Sequence, residues 1–314
     1  MKIIEMGHFA QIVKKLKLFI VLTLLGIISR AEAKVFLIGG EGAELNRFDV
    51  KQYCLNTNSI YNFSFDIELY NIIPKISEKL KLNNQGMEII LFSILPDVKT
   101  GGLWEEVSLG TITKERMSFR ELNDLKEHVL GMRFDKGIPS TTKFFNEHKL
   151  AVFRDGKYYV AKKCLLQFFA VRNRPFPFPN IYGTINLQQP FFSVKDMYNL
   201  YKGQYGGLAD FPLESYLSQS SFDYVRDRME YQSRKFAIQG KEAYQYWTYT
   251  DWHENKIGYE LERGIDRFVY IPDSGIVGGS FDFYFYFHRK EIGLDLVRFI
   301  KNIKEEGVIL PTSL

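Results

Sequence analysis

The sequence predicts an α+β protein with a mainly antiparallel sheet and a few packed helices. Strand-like and helix-like segments follow one another without the regular strand–helix–strand rhythm of a parallel α/β sheet. Apolar residues make up 46% of the 314-residue chain, enough for an ordinary hydrophobic core.

Three strands are predicted in the first hundred residues. Residues 35–38 form a short apolar run, and residues 87–95 are apolar nearly throughout, which favours a central strand. Within residues 60–70, apolar and polar side chains alternate with a period of two. This alternation places the four apolar side chains on a single face: Phe63, Phe65, Ile67 and Leu69.

A helix and a hairpin follow. Ser118 and Glu121 have the spacing of a capping box, which predicts a helix from this point. Further on, Asp155-Gly156 separates two apolar runs, and this dipeptide favours the tight turn of a β-hairpin. The helix would bury one stripe of apolar residues: Leu122, Leu125, Val129 and Met132.

Alternating prolines at 175–179 mark the sharpest change in composition. We therefore divide the chain into a leader (1–33), an N-terminal α+β domain (34–174) and an aromatic-rich C-terminal α+β domain (180–314). In the alternative interpretation the two halves form one continuous domain. A short helix is expected from Ser193, with Asp196 completing its cap.

The C-terminal third is predicted to be antiparallel. Residues 280–288 give the strongest alternation, with phenylalanine at every second position. A final helix is expected over 294–306, with Leu296, Phe299, Ile300 and Ile303 inside. Residues 222–238 fit a helix loosely. The other strand candidates are 243–250, 257–261 and 267–271.

The first 33 residues have the pattern of a secretory signal peptide. Lysines precede the apolar run 18–28, and Ala31 and Ala33 supply the small residues that signal peptidase requires. The run is about half as long as a membrane-spanning helix. We therefore predict a periplasmic or secreted protein with no stable membrane span after cleavage. The alternative is a leader retained as an anchor.

The charge balance indicates the kind of partner. The leader carries five of the 41 basic residues and two of the 37 acidic ones, which leaves 36 and 35 in the remainder. A nucleic-acid partner requires a concentrated basic surface, and no dense Lys/Arg run is present. We predict no nucleic-acid partner; a protein is the expected partner, with carbohydrate as the other candidate.

The two cysteines, Cys54 and Cys164, allow two interpretations. In an oxidising compartment they would form a disulfide. Otherwise they are two unpaired thiols. Two cysteines are too few for a disulfide-scaffold fold in either case.

The glycine-rich stretch Gly39-Gly40-Glu41-Gly42 resembles the start of a cofactor loop only superficially. A dinucleotide fingerprint needs a third glycine where this chain has Leu45, and the lysine of a P-loop is missing. We predict a turn after the first strand, with glycines at positive φ, and no cofactor.

A polar cluster and an aromatic cluster are the candidate sites. Asp251, His253 and Glu254 would suit general acid–base chemistry, although a polar turn after a strand is the simpler explanation. Nearby aromatic side chains would form a recognition surface if exposed, or cross-strand pairs within the sheet if buried. These candidate binding residues are Tyr244, Tyr246, Trp247, Tyr249 and Trp252.

The sequence therefore favours an exported binding protein, in its concrete form an inhibitor or immunity-type protein that recognises another protein through aromatic-rich strands. The alternative is an envelope or extracellular hydrolase, acting for instance on polysaccharide, that uses Asp251, His253 and Glu254. The sequence leaves open whether the protein is an enzyme.

Overall fold

The computed structural model describes residues 33–75, 86–135, 143–175, 183–205, 230–248 and 264–314. The predicted α+β class is confirmed, because the described residues combine three sheets, in which most strand pairs are antiparallel, with helices. Residues 1–32 of the leader lie outside the described part, so the signal peptide stays a prediction.

The first sheet contains the predicted first strand as an interior strand. Its strand order is β5-β9-β8-β1-β6, and β1 is parallel to both of its neighbours. The predicted hairpin is confirmed, since Asp155 and Gly156 both have positive φ between β8 and β9. The strands are β1 (Lys34–Ile38), β5 (Trp104–Val107), β6 (Arg116–Met117), β8 (His148–Arg154) and β9 (Lys157–Ala161).

The middle sheet has the order β11-β10-β4-β3-β2, and β7 also pairs with β10. The predicted central strand is confirmed as β4. The alternating segment is confirmed only from Asp66 onward, because a helical turn and a bend precede it. The strands are β2 (Phe48–Asn56), β3 (Asp66–Pro74), β4 (Glu88–Leu95), β7 (Lys143–Phe145), β10 (Lys163–Arg172) and β11 (Thr184–Asn186).

The third sheet has the antiparallel order β12-β13-β14-β15. Two predicted strands are confirmed here, and the loosely helical residues 230–238 form a strand instead. The predicted strand 257–261 lies outside the described residues. The strands are β12 (Glu230–Ile238), β13 (Lys241–Thr248), β14 (Arg267–Ile271) and β15 (Gly275–Ser280).

The middle sheet is packed on both faces. One face contacts the first sheet through a core that includes Phe36, Phe92 and Phe168. The other face packs against the third sheet, where Phe169 and Phe268 meet edge to face at 5.2 Å. This burial on both faces explains why β4 and β10 are mostly apolar rather than alternating.

The largest core takes residues from both sides of the proline-rich run. Leu69, Leu91 and Phe169 lie in it together with Tyr246 and Phe268. Residues Lys34–Leu314 form one compact unit. The boundary at 175–179 itself stays a prediction, because 176–182 lie outside the described residues.

The helices begin where their caps predict. Ser118 and Glu121 form the expected capping box, with the Ser118 N–H donating to Glu121 Oε2 at 2.8 Å. Ser193 and Asp196 repeat the arrangement. The helices are α1 (Asn58–Tyr61), α2 (Leu109–Lys114), α3 (Phe119–Asp135), α4 (Val194–Tyr205), α5 (Asp282–Phe287), α6 (Arg289–Ile292) and α7 (Leu296–Lys304).

The strand predicted over 280–288 is wrong. β15 ends at Ser280, and helix α5 follows. Arg267 of β14 holds the Asp282 carboxylate in a buried ion pair at the first turn of this helix. Phe283, Tyr284 and Phe285 are all buried, so the continuous aromatic run belongs to a helix that is enclosed on most sides.

The final helix is confirmed, with one correction to its inner face. Phe299 and Ile303 are buried as predicted, but Leu296 is exposed at the first turn. Asp295 caps this helix by accepting from the Val297 and Arg298 N–H groups.

Candidate functional site

The predicted aromatic surface is not exposed in the part of β13 that the structure describes. Tyr244, Tyr246 and Trp247 are all buried. Trp247 Nε1 donates to the Phe192 carbonyl at 2.8 Å, and its ring stacks on Tyr231 at 4.8 Å. The alternative interpretation, aromatic pairing within the sheet, therefore describes these three side chains.

Tyr246 shows how tightly this strand is enclosed. Its hydroxyl donates to the Asn186 carbonyl at 3.0 Å, and its ring stacks on Phe268 at 5.3 Å. Burial raises the pKa of the Tyr246 hydroxyl well above its ordinary value. This side chain connects the middle and third sheets and is inaccessible to a partner.

The remaining predicted site residues lie outside the described residues. They are Tyr249, Asp251, Trp252, His253 and Glu254. Their roles in binding or acid–base chemistry stay predictions. Among the described residues, no group of three His, Cys, Asp or Glu side chains is placed to hold a metal ion.

The two cysteines are free thiols, so the second of the two interpretations, two unpaired thiols, describes the structure. The strand registers place Cys54 opposite Glu68, Glu68 opposite Ile94, and Ile94 opposite Cys164. The two cysteines are therefore three strand spacings apart, roughly 14 Å, whereas a disulfide needs Cα atoms within about 7 Å. Burial raises the pKa of the Cys164 thiol to about 12.

The glycine-rich turn has the predicted conformation. Gly39, Gly40 and Gly42 have φ values of 78°, 74° and 79°. A Cβ atom on Gly40 would lie 2.9 Å from the Tyr158 ring and 3.0 Å from Phe153. The glycine therefore permits close packing of the turn against the β8–β9 hairpin.

The carboxylate of Glu44 lies at the N-terminus of helix α3, beside this turn. Glu44 Oε1 accepts from the Phe119 N–H at 2.9 Å, at the start of α3. This backbone hydrogen bond is the main cause that lowers the pKa of Glu44. A phosphate at this helix terminus would have to displace that carboxylate.

Strand β2 is the feature most suited to recognition, because it is a long edge strand with a regular register. It spans nine residues and pairs with β3 without interruption. No strand in the described part of the chain pairs with its outer edge. Asp49, Lys51, Gln52 and Cys54 are exposed along it.

The other described edges are less suited to pairing. β5, β6 and β11 have four, two and three residues. β12 has nine residues, but its register shifts between Gln232 and Arg234. β15 is also irregular and forms a bridge from Gly279 to Ile309. Shortness and bulges are common ways of protecting an edge from other chains, and β2 has neither.

Contacts on both faces hold β2 in place. On one face, Gln52 Nε2 donates to Glu68 Oε2 at 3.1 Å. Glu68 also accepts from Arg154 Nη2 at 2.7 Å and from Trp104 Nε1 at 3.0 Å. On the opposite face, the Tyr53 hydroxyl donates to the Ser274 carbonyl at 2.8 Å.

This arrangement was not predicted from the sequence. The alternation Phe48-Asp49-Val50-Lys51 was an available signal for a strand, although Gln52-Tyr53 interrupts it. Arg154 is 86 residues from Glu68 in the chain, and no motif connects the two.

Comparison with family models, with curated proteins and with solved structures gives no match. Within the described residues, no helix is both long and apolar enough to cross a membrane. The geometry of β2 is therefore the basis for a functional proposal.

Proposed function

We propose that this protein is an exported binding protein that recognises another protein, and that an extended segment of the partner adds to the free edge of β2. The observation that carries the proposal is the uninterrupted nine-residue register of this edge strand. In its concrete form the protein is an inhibitor or immunity-type factor in the periplasm or outside the cell. The leader pattern of residues 1–33 supports export.

Strand addition suits the physical character of this edge. Every second residue of an antiparallel edge strand directs its N–H and C=O groups outward, where a partner backbone can pair with them. Side chains then select the partner, and Asp49 and Lys51 supply charges of both signs on one face. The contacts of Gln52 and Tyr53 fix the strand beforehand, which lowers the entropy cost of binding.

Capture followed by hydrogen exchange tests the proposal. The immobilised protein is exposed to the periplasmic or extracellular fraction of its source, and a stoichiometric partner is identified. We expect that partner to slow amide exchange in β2. Slower exchange on another surface, with β2 unchanged, would contradict the proposal.

Proline substitutions add a test at the level of single N–H groups. Lys51→Pro and Gln52→Pro remove consecutive N–H groups, of which one points outward and the other toward β3. The outward substitution is Gln52→Pro, because the Lys75 N–H donates to the Arg47 carbonyl in the same register and so places the N–H groups of odd-numbered residues toward β3. Gln52→Pro should keep the fold and weaken partner binding at least about tenfold, equivalent to about 1.4 kcal/mol.

The matched control is Glu106→Pro on edge strand β5, which should leave partner affinity unchanged. Its N–H points away from β9, because the Lys162 N–H donates to the Leu103 carbonyl in that register.

The hydrolase alternative stays a prediction from the sequence, since its three residues lie outside the described part of the chain. Asp251→Ala combined with His253→Ala distinguishes the two functions. Loss of a measurable hydrolytic activity in a folded double variant would favour the hydrolase. Unchanged partner binding by that variant, with no activity to lose, would favour the binding protein.

A further inference from the structure

We infer that, without a partner, two copies of this chain pair through their β2 strands, antiparallel about a two-fold axis at Val50. Such self-pairing goes beyond the proposed function and does not depend on it, because it needs no second protein. If both are right, a partner segment competes with the second copy for the same edge.

The charges of β2 point to self-recognition. Asp49 and Lys51 are two residues apart, so both project from the same face of the sheet. Both are exposed. Asp49 has one weak ion-pair partner, Lys75, at 3.5 Å, and both members of that pair are about half exposed. An added strand must therefore match one acidic and one basic group on this face.

A second copy matches both groups in one register. When Val50 lies opposite Val50 of the other copy, Asp49 of each copy lies opposite Lys51 of the other. Moving the axis to Asp49 or to Lys51 would place identical charges opposite each other, which is unfavourable. The charge pattern therefore favours the axis at Val50 over an axis at either neighbouring residue.

The rest of the strand is compatible with this register. On the opposite face, Phe48 of each copy lies opposite Gln52 of the other. On the face of Asp49 and Lys51, Arg47 is level with Tyr53. None of these positions brings together two charges of one sign. The paired length is about five residues, so the interface is small and we expect a weak, reversible dimer.

Variants that exchange the two charges test the inference. Their dimerisation is measured by sedimentation equilibrium of the full chain at protein concentrations of roughly 1–300 µM. We expect the wild-type protein to show a concentration-dependent dimer. Asp49→Lys alone or Lys51→Asp alone should weaken the dimer about tenfold, because each change creates two like-charge pairs. The double variant Asp49→Lys/Lys51→Asp should restore wild-type dimerisation.

The matched control for charge exchange lies on the other nine-residue edge strand, β12, where Lys235→Glu should not change the dimer. A wild-type protein that is monomeric throughout the range overturns the inference but leaves the proposed function untouched. A dimer that is insensitive to both single changes, or a double variant that is not restored, also overturns it.

Cross-linking tests the register directly. In a Cys54→Ser background, Val50→Cys should give an intermolecular disulfide when oxidised, because the axis brings the two introduced thiols together. Asn56→Cys is the control, since this register leaves it outside the paired residues. Equal cross-linking of the two variants would exclude the Val50 axis.

Discussion

In strand β13 the sequence signal for recognition is strong but the aromatic side chains are buried, whereas in strand β2 the signal is missing but the edge is exposed. β13 carries the aromatic cluster that sequence reasoning favours for recognition, and the structure encloses it between β12 and β14. β2 carries no such signal, yet it is the long, regular edge of the middle sheet. A strand's place in the sheet order, rather than its composition, decides which of the two can meet a partner.

The difference has a simple physical origin. Large aromatic side chains bury much apolar area, so they are as suited to a core as to an interface. Trp247 and Tyr246 illustrate the core use, with each polar atom bonded to a backbone carbonyl inside the fold. Charges such as Asp49 and Lys51 remain in water unless another chain covers them.

The largest expected difference in stability between the two regions comes from removing one partner of an ion pair. Asp282→Ala leaves Arg267 buried beside β13 without its carboxylate, and we expect about 3–5 kcal/mol of destabilisation. Asp49→Ala removes the exposed pair with Lys75 on β2 and should change stability by less than about 1 kcal/mol. Urea unfolding of both variants measures the contrast. Similar losses at the two positions would show that β2 is more enclosed than its exposure indicates.

Removing one tyrosine hydroxyl from each of the same two strands should give a smaller difference in stability. Tyr246→Phe removes a buried hydrogen bond and leaves the Asn186 carbonyl without it, so we expect about 1–2 kcal/mol of destabilisation. Tyr53→Phe removes a bond to the Ser274 carbonyl at a half-buried site, where water can replace the donor. Its cost should be under about 0.5 kcal/mol, measured by the same unfolding curves. A larger cost for Tyr53 would mean that this contact is a principal anchor of β2.

Local chemistry made much of the fold predictable. Ser118 with Glu121, Ser193 with Asp196, and Asp155-Gly156 each form a short-range structure that needs no knowledge of distant residues. The alternation at 280–288 was misleading for the opposite reason. The segment forms a helix whose first turn is bound by Arg267 from another strand, and the local alternation gives no sign of that contact.

The candidate site was harder to predict than the fold. Nothing local shows that β2 is the last strand of its sheet, because that depends on where β3, β4 and β10 pair. The ring of donors around Glu68 comes from three separate strands besides its own. Contacts of this kind exist only once the sheets have packed.

A further small effect concerns the turn that leads into β2. The backbone N–H of Phe119, followed by the Arg47 side chain, holds the pKa of Glu44 below its ordinary value of 4.5. A carboxyl group with a lowered folded-state pKa stabilises the protein above its unfolded pKa, and this stabilisation is lost as pH falls through the folded pKa. Glu44→Gln should therefore destabilise the protein by about 0.5–1 kcal/mol at pH 7. The difference from wild type should shrink as the pH falls below about 4.5.

Unfolding curves of the wild type and Glu44→Gln at pH 7, 5 and 3.5 measure this effect. The control is Glu41→Gln in the same turn, since Glu41 does not contact the helix terminus through its side chain. A gap between wild type and Glu44→Gln that persists at the lowest pH would show that Glu44 acts through its shape and hydrogen bond rather than its charge. A gap that closes would show that the charge of Glu44 at the α3 terminus helps to fix the turn where the exposed edge begins. The same variant would then loosen β2 without changing any residue of the strand, which separates the order of the edge from its side-chain chemistry.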